Sequence, residues 1–257
     1  VLPSAQTDPV AKRAPLRRLD DAVLVLQTSG TTGEPKSIVY DLRRLALAGA
    51  GIARSLDLRP DDMGLSVLPL HHVGGITCNL IAPLLSGAPT RFLPGFDPRQ
   101  VFAALAGSDG ARWVYLVPSL WQELLRYADE HPELAQDKPW PNLRILRNAG
   151  ADLPHDRALA LSELFGEGVH IVPTYGMTEA MPIAAPPPQY RLERPNTVGP
   201  VVEGMEVEIV CAPPDGGTKR GPDGQVGEIA VRGPTVIGRY EREGEPPLEP
   251  PVQPSAS

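Results

Sequence analysis

The chain has 257 residues, of which 42% are hydrophobic and only 5% aromatic, with 25 glycines and 31 prolines. That allows a sizeable core in one large or two smaller domains, joined by many turns. The formal net charge is −7, and no basic cluster exceeds Lys12-Arg13 and Arg17-Arg18, which argues against nucleic acid as a partner but not against ATP, whose charge can be met locally.

Nothing reads as a signal peptide or as an apolar run long enough to span a membrane. Cys78 and Cys211 lie far apart without metal or redox spacing and read as small apolar residues, so the expected setting is soluble, reducing and cytoplasmic. The chain begins at Val1 instead of Met, which reads as a processed or excised chain or a fragment.

Residues 1–20 are polar and Pro-containing and read as a linker or surface segment. Ala22–Leu26 and Ser37–Tyr40 read as buried strands flanking a Gly/Thr-rich loop. Leu42–Leu56 carries apolar residues at helical spacing, with Asp41 as N-cap. Strands are expected at Gly64–Leu68, Ala88–Leu93, Trp113–Val117, Leu143–Arg147 and Val169–Val172. Helices are expected at Ile76–Leu85, ended by Gly87, at Pro98–Ala106, at Leu120–Ala128, capped by Ser119 after a stop at Pro118, and at Pro154–Phe165.

This alternation predicts an α/β fold with layered, largely parallel sheets and helices, placed at residues 21–195. Ligands in such sheets bind at the carboxyl ends of strands. The segments 28–36, 148–151 and 174–179 all fall at such ends, which predicts one shared site. After residue 196, Val207–Val210 and Glu228–Val231 with turn signals at Asp215-Gly216-Gly217 and Asp223-Gly224 predict a β-rich unit at 196–240. Residues 241–257 are rich in Glu, Pro and Ser and are expected to be disordered.

The loop Thr28-Ser29-Gly30-Thr31-Thr32-Gly33-Glu34-Pro35-Lys36 holds two glycines, four hydroxyls and a lysine. Glycines let the backbone approach a ligand, successive N–H groups form an anion-binding concavity, and Lys36 adds a point charge, so the loop reads as a polyphosphate cradle. It is not the common P-loop: Pro35 stands where that motif has Gly and contributes no N–H. Thr174-Tyr175-Gly176-Met177-Thr178-Glu179 offers an aromatic face, a hydroxyl and a carboxylate, suited to a nucleobase and to Mg²⁺ beside phosphate. The alternative is a plain strand-end turn with a buried Tyr and a surface Glu.

The first of these strings resembles the phosphate loop of the adenylate-forming enzymes, a superfamily that includes acyl-CoA synthetases, luciferases and peptide-synthetase adenylation domains. Tyr175-Gly176-Met177-Thr178-Glu179 resembles a second motif of that family in full. Asn148-Ala149-Gly150-Ala151-Asp152-Leu153-Pro154 resembles its Gly/Ala-rich turn, with Ala149 where glycine is frequent. Pro69-Leu70-His71-His72-Val73-Gly74-Gly75 resembles a motif of the acyl-CoA synthetases, with His71 in place of an aromatic. A metal-ligating His pair is the alternative there, disfavoured because adjacent strand residues point apart and no third ligand follows. Asn196–Pro200 and Gly227–Pro234 resemble later register marks, so the resemblance runs in order from about residue 22 to 240.

The resemblance implies a fragment of the family's large domain and a two-step reaction. A carboxylate attacks the α-phosphate of MgATP to give acyl-adenylate and pyrophosphate, and the thiol of CoA then displaces AMP. It implies Thr28, Ser29, Gly30, Thr31, Thr32, Gly33 and Lys36 at the phosphates. It implies Gly150, Ala151, Tyr175 and Gly176 at adenine, His72, Val73 and Asn148 at the acyl group, and Lys36, Thr178 and Glu179 in catalysis, with Glu179 also holding Mg²⁺. The family's ribose-binding Asp segment, hinge and C-terminal domain with its catalytic Lys are not found in the sequence, nor is an N-terminal part of the large domain. Little or no ligase activity is therefore expected of this chain alone, its partners being a small carboxylate, ATP, CoA and the remaining parts of the same enzyme. The other reading is a catalytically inactive nucleotide-binding remnant or module of a larger polypeptide.

Overall fold

The computed structural model describes residues 22–28, 36–136, 139–166, 168–187, 190, 197–211, 219–220, 226–237 and 240–241. The expected linker at 1–20, most of the phosphate loop (29–35) and the tail at 242–257 lie outside the described residues. Glu241, the first residue of the expected tail, is part of a strand.

In chain order, β1 (Ala22–Thr28) and β2 (Lys36–Asp41) pair antiparallel, with Thr28 opposite Lys36, so the phosphate loop closes a hairpin. Asp41 then caps α1 (Leu42–Ser55): its carboxylate accepts from the Arg44 N–H at 2.6 Å and also binds the Arg44 guanidinium. After β3 (Gly64–Ser66), α2 (Val73–Ile76), a π-helical turn (Thr77–Ile81) and α3 (Ala82–Ser86) follow one another directly and end at Gly87 in the left-handed conformation. This helical stretch begins three residues earlier than its spacing predicted, taking Val73, Gly74 and Gly75 out of the loop. Then come β4 (Thr90–Phe92), α4 (Pro98–Leu105) and β5 (Trp113–Leu116).

The helix α5 (Pro118–Glu130) is capped by Val117, not Ser119. β5 ends before Pro118, within a residue of the forecast, and Pro118 also opens the helix, because its missing N–H would be unpaired in the first turn anyway. The short α6 (Glu133–Gln136) had no sequence forecast. β6 (Ile145–Asn148), α7 (His155–Phe165) and β7 (His170–Pro173) follow as expected, each within a residue or two of its forecast. The segment read as a loop at 174–179 is half strand: β8 (Tyr175–Met177) turns back into β9 (Ala180–Ala184). The remaining strands are β10 (Glu206–Cys211), β11 (Lys219–Arg220), β12 (Glu228–Arg232) and β13 (Tyr240–Glu241).

Five of these strands make the parallel sheet β4-β3-β5-β6-β7, and β11-β10-β12 make a small antiparallel one. β13 pairs with β2, Tyr240 opposite Ile38, and extends the hairpin to three strands. The inner strands β3, β5 and β6 are short and buried on both sides, as parallel sheets require, whereas the edge strand β4 leaves Phe92 exposed. Alternate residues face opposite layers. Val114, Leu116, Leu146 and Ile171 meet α4, α5 and α7 through Phe102, Trp121, Leu161 and Phe165. Trp113, Tyr115, Ile145 and Val172 meet α1 and the 73–86 helical stretch through Ile52, Cys78 and Ala82, together with Leu26, Ile38 and Tyr40 of the hairpin. Two apolar layers thus clamp the sheet, and the second one lies against the carboxyl-terminal loops.

One buried ion pair secures the sheet's other end. Asp62, 2% exposed, accepts from Arg144 through Nε at 2.9 Å and Nη2 at 2.5 Å. Arg144 also donates to the carbonyls of Leu56 and Asp57, and Trp113 Nε1 donates to the Asp62 carbonyl at 3.2 Å. To this bidentate pair the Arg59 backbone N–H adds a third bond, to Asp62 Oδ2 at 2.8 Å.

Candidate active site

The three motif segments converge on one cavity of about 610 Å³, within the range of small-ligand sites. Thr28 and Lys36 line it from either end of the hairpin loop. His72, Val73, Gly74 and Gly75 contribute the first turn of the helical stretch, and Gly150, Gly176, Thr178 and Glu179 contribute the other two motifs. Eight residues assigned by the sequence are therefore neighbours around one space: Thr28, Lys36, His72, Val73, Gly150, Gly176, Thr178 and Glu179.

Three assigned residues do not line it. Asn148 is 1% exposed, and its side-chain amide donates to the Ala151 carbonyl at 3.0 Å, holding the 148–151 turn closed. Ala151 is exposed on that turn. The Tyr175 side chain packs beside Ala180, Ile183 and Met205, away from the cavity lining. Ser29, Gly30, Thr31, Thr32 and Gly33 lie outside the described residues, in the connection between Thr28 and Lys36.

Glycine is required where the helical stretch meets the sheet. A Cβ on Gly74 would stand 2.4 Å from the Tyr115 hydroxyl, and one on Gly75 would stand 2.1 Å from the Pro69 carbonyl oxygen. Gly150 has φ +91°, a left-handed value that turns the chain from β6 toward α7.

Tyr115, Val117, Leu68 and Met181 also line the cavity, and none was singled out from the sequence. Tyr115 was readable only as a core residue of β5. Its position on the cavity side follows from period-2 alternation once Trp113 is known to face α1. Burial pushes the Tyr115 hydroxyl up to about 12, so it remains a proton donor at neutral pH. Met181 is held by Thr77, whose hydroxyl contacts its sulfur at 3.2 Å.

The histidine pair departs from the strand geometry expected of it. His71 and His72 sit in the turn before α2, His72 as its N-cap, with ring centroids 4.3 Å apart. Only His72 reaches the cavity lining. Among the described residues, no group of three or more His, Cys, Asp or Glu side chains gathers to hold a metal. A single carboxylate beside phosphate oxygens is nonetheless a donor set that suits Mg²⁺, which keeps most of its ligands as water and substrate.

A family model described as AMP-binding enzyme matches residues 2–241. The chain belongs to that family. Among its relatives, a sulfoacetate–CoA ligase of Cupriavidus necator is 33% identical over 235 residues, covering 91% of this chain and 43% of the relative. A mitochondrial malonate–CoA ligase of Mus musculus is 32% identical, covering 86% of this chain and 41% of the relative. The crystal structure of ATP-bound MatB from Rhodopseudomonas palustris superposes with a TM-score of 0.76 at 28% identity, covering 89% of this chain and 43% of that one. The chain thus spans about two-fifths of the length of these family members. Among the described residues no helix is long and apolar enough to cross a membrane.

Proposed function

We propose that this chain builds the nucleotide- and acid-binding face of an AMP-forming acid–CoA ligase. The observation that carries the reading is the convergence of Thr28, Lys36, His72, Gly150, Thr178 and Glu179 on one cavity, from four separate stretches of sequence. The reaction is attack of a carboxylate on the α-phosphate of MgATP, with pyrophosphate leaving, followed by displacement of AMP by the CoA thiol. Such chemistry is mainly positioning and charge stabilisation.

Lys36 offers a cation to the phosphate oxygens as charge develops on them. Thr178 offers a hydroxyl beside it, and Ser29 to Gly33 offer backbone N–H groups to the polyphosphate. Glu179 would hold Mg²⁺, whose charge offsets that of the phosphates. Gly150 and Gly176 allow the flat adenine to approach backbone, while Ala151 and Tyr175 are proposed for adenine on the motif alone. His72 and Val73 border the acid, and Asn148 supports that border through the turn it closes. Sulfoacetate and malonate, named for two of the relatives, are both short acids, which supports a short acid here.

Calorimetry with MgATP, on this chain and on Glu179→Ala, tests the reading. The expected result is micromolar-to-millimolar affinity that weakens in the variant while circular dichroism is unchanged. A folded chain that binds no MgATP would overturn it.

A further inference from the structure

Arg147 is a buried cation to which the fold gives no counter-ion among the described residues. It is 2% exposed, and its Nε and Nη1 are fully buried without a hydrogen-bond partner. Its neighbour Arg144 shows the ordinary arrangement, paired with Asp62 and donating to two carbonyls. A buried guanidinium left unpaired is strongly disfavoured unless an anion meets it.

The position of Arg147 says where that anion comes from. On β6 it stands in register with Tyr115 on one side and Val172 on the other, on the sheet face that looks toward α1 and the 73–86 helical stretch. Its guanidinium carbon lies over the Tyr115 ring, 5.9 Å from the centroid. Tyr115 is itself a wall of the cavity. The positive charge of Arg147 also reaches Tyr115 and Cys78, where it opposes the rise that burial imposes on both. The next residues along the chain, 148–151, form the turn that brings Gly150 to the same cavity. The unpaired charge thus sits behind Tyr115, which shares the cavity wall with His72 and Val73, the residues proposed for the acid.

We propose that Arg147 is a specificity-determining residue that pairs with a second anionic group, carboxylate or sulfonate, on the acid being activated. One carboxylate faces the nucleotide, and the far anionic group meets the guanidinium beside Tyr115. A monocarboxylic acid of the same length leaves Arg147 unpaired and binds worse. A site built to satisfy a polar group rejects the analogue that lacks it, because its own buried group then stays unsatisfied. This inference rests on reading the cavity as an acid-activating site.

The experiment titrates malonate, sulfoacetate and propionate into this chain in the presence of MgATP, for the native sequence, Arg147→Met and Arg147→Lys. MgATP binding is measured first and separately. The expected result is a preference for malonate and sulfoacetate over propionate of about tenfold or more. Arg147→Met abolishes it with MgATP affinity unchanged, and Arg147→Lys retains part of it. Thermal denaturation gives a second readout: malonate raises the midpoint of the native chain but not that of Arg147→Met. Equal binding of malonate and propionate by the native chain overturns the proposal without using any variant. So does a preference that survives in Arg147→Met. Failure to bind MgATP would instead remove the underlying function, and this inference with it.

Discussion

The Tyr40 hydroxyl donates to the Thr178 carbonyl at 2.5 Å, across 138 residues of sequence. Tyr40 ends the hairpin that carries Lys36, and Thr178 sits at the turn that carries Glu179. This bond ties β2 to the turn that carries Glu179. Burial, and then the negative charge of Glu179, both push the Tyr40 hydroxyl far above its ordinary pKa, so it remains a donor throughout the working pH range.

Tyr40→Phe is therefore expected to lower MgATP affinity several-fold with a stability loss of only about 1 kcal/mol, the net worth of one hydrogen bond. Calorimetry and urea denaturation of the same preparation separate the two effects. Unchanged affinity would mean that the two motifs keep their relative position without this bond.

Arg144 and Asp62 make the corresponding link at the far end of the sheet. Arg144→Met leaves the Asp62 carboxylate buried without its partner, and the expected cost is about 3 kcal/mol. Adding Asp62→Asn to that variant removes the orphaned charge and restores part of the loss, a coupling that a double-mutant cycle in urea measures. Additive losses would show that the pair does not interact.

Much of this arrangement is legible in the sequence, and the remainder has identifiable physical reasons. Gly150 follows β6 of the parallel sheet, at the carboxyl end where ligands bind, and its place is readable from strand order. Thr28 and Lys36 are legible as a local string, but they lie on an antiparallel hairpin outside that sheet, and Thr178 and Glu179 lie in the turn between β8 and β9, so strand order in a parallel sheet does not by itself bring them together. Tyr115 and Arg147 are different. Each lies inside a buried four-residue strand whose residues are all buried, so no alternation of polar and apolar residues tells one face from the other. Pairing of β13 with β2 brings residues 240–241 against 37–38, a contact that no local pattern announces. Pro118 both follows the end of β5 and opens α5, two roles that the sequence alone does not separate, and the cap accordingly falls on Val117 and not on Ser119.

Gly74 ties helix and cavity together tightly enough to be tested. Gly74→Ala places a methyl 2.4 Å from the Tyr115 hydroxyl, so either the ring or the first turn of the helix must shift. The expected loss of stability is about 1–3 kcal/mol, typical of overpacking. Malonate binding is expected to fall more than MgATP binding, because Tyr115 lines the side of the cavity proposed for the acid. Equal losses for both ligands would place Tyr115 no nearer to one than to the other.

Cys78 gives a pH signature of the buried layer beneath the cavity. Burial pushes its thiol from 9.0 up to about 11, with the nearby Arg147 charge opposing the rise. The folded state thus holds its proton more tightly than the unfolded state. Stability from this group is fully present below about pH 9 and is lost as pH climbs from there through about 11. Tyr115 adds a similar loss between about 10 and 12. Cys78→Ala removes the first contribution and, with it, the thiolate charge that adds to the rise at Tyr115, so its stability profile should fall less steeply than that of the native chain between pH 9 and 11, with the two profiles parallel at neutral pH. Urea denaturation across that range measures the difference, and profiles that stay parallel up to pH 11 would mean the thiol titrates in the folded chain as it does in the unfolded one.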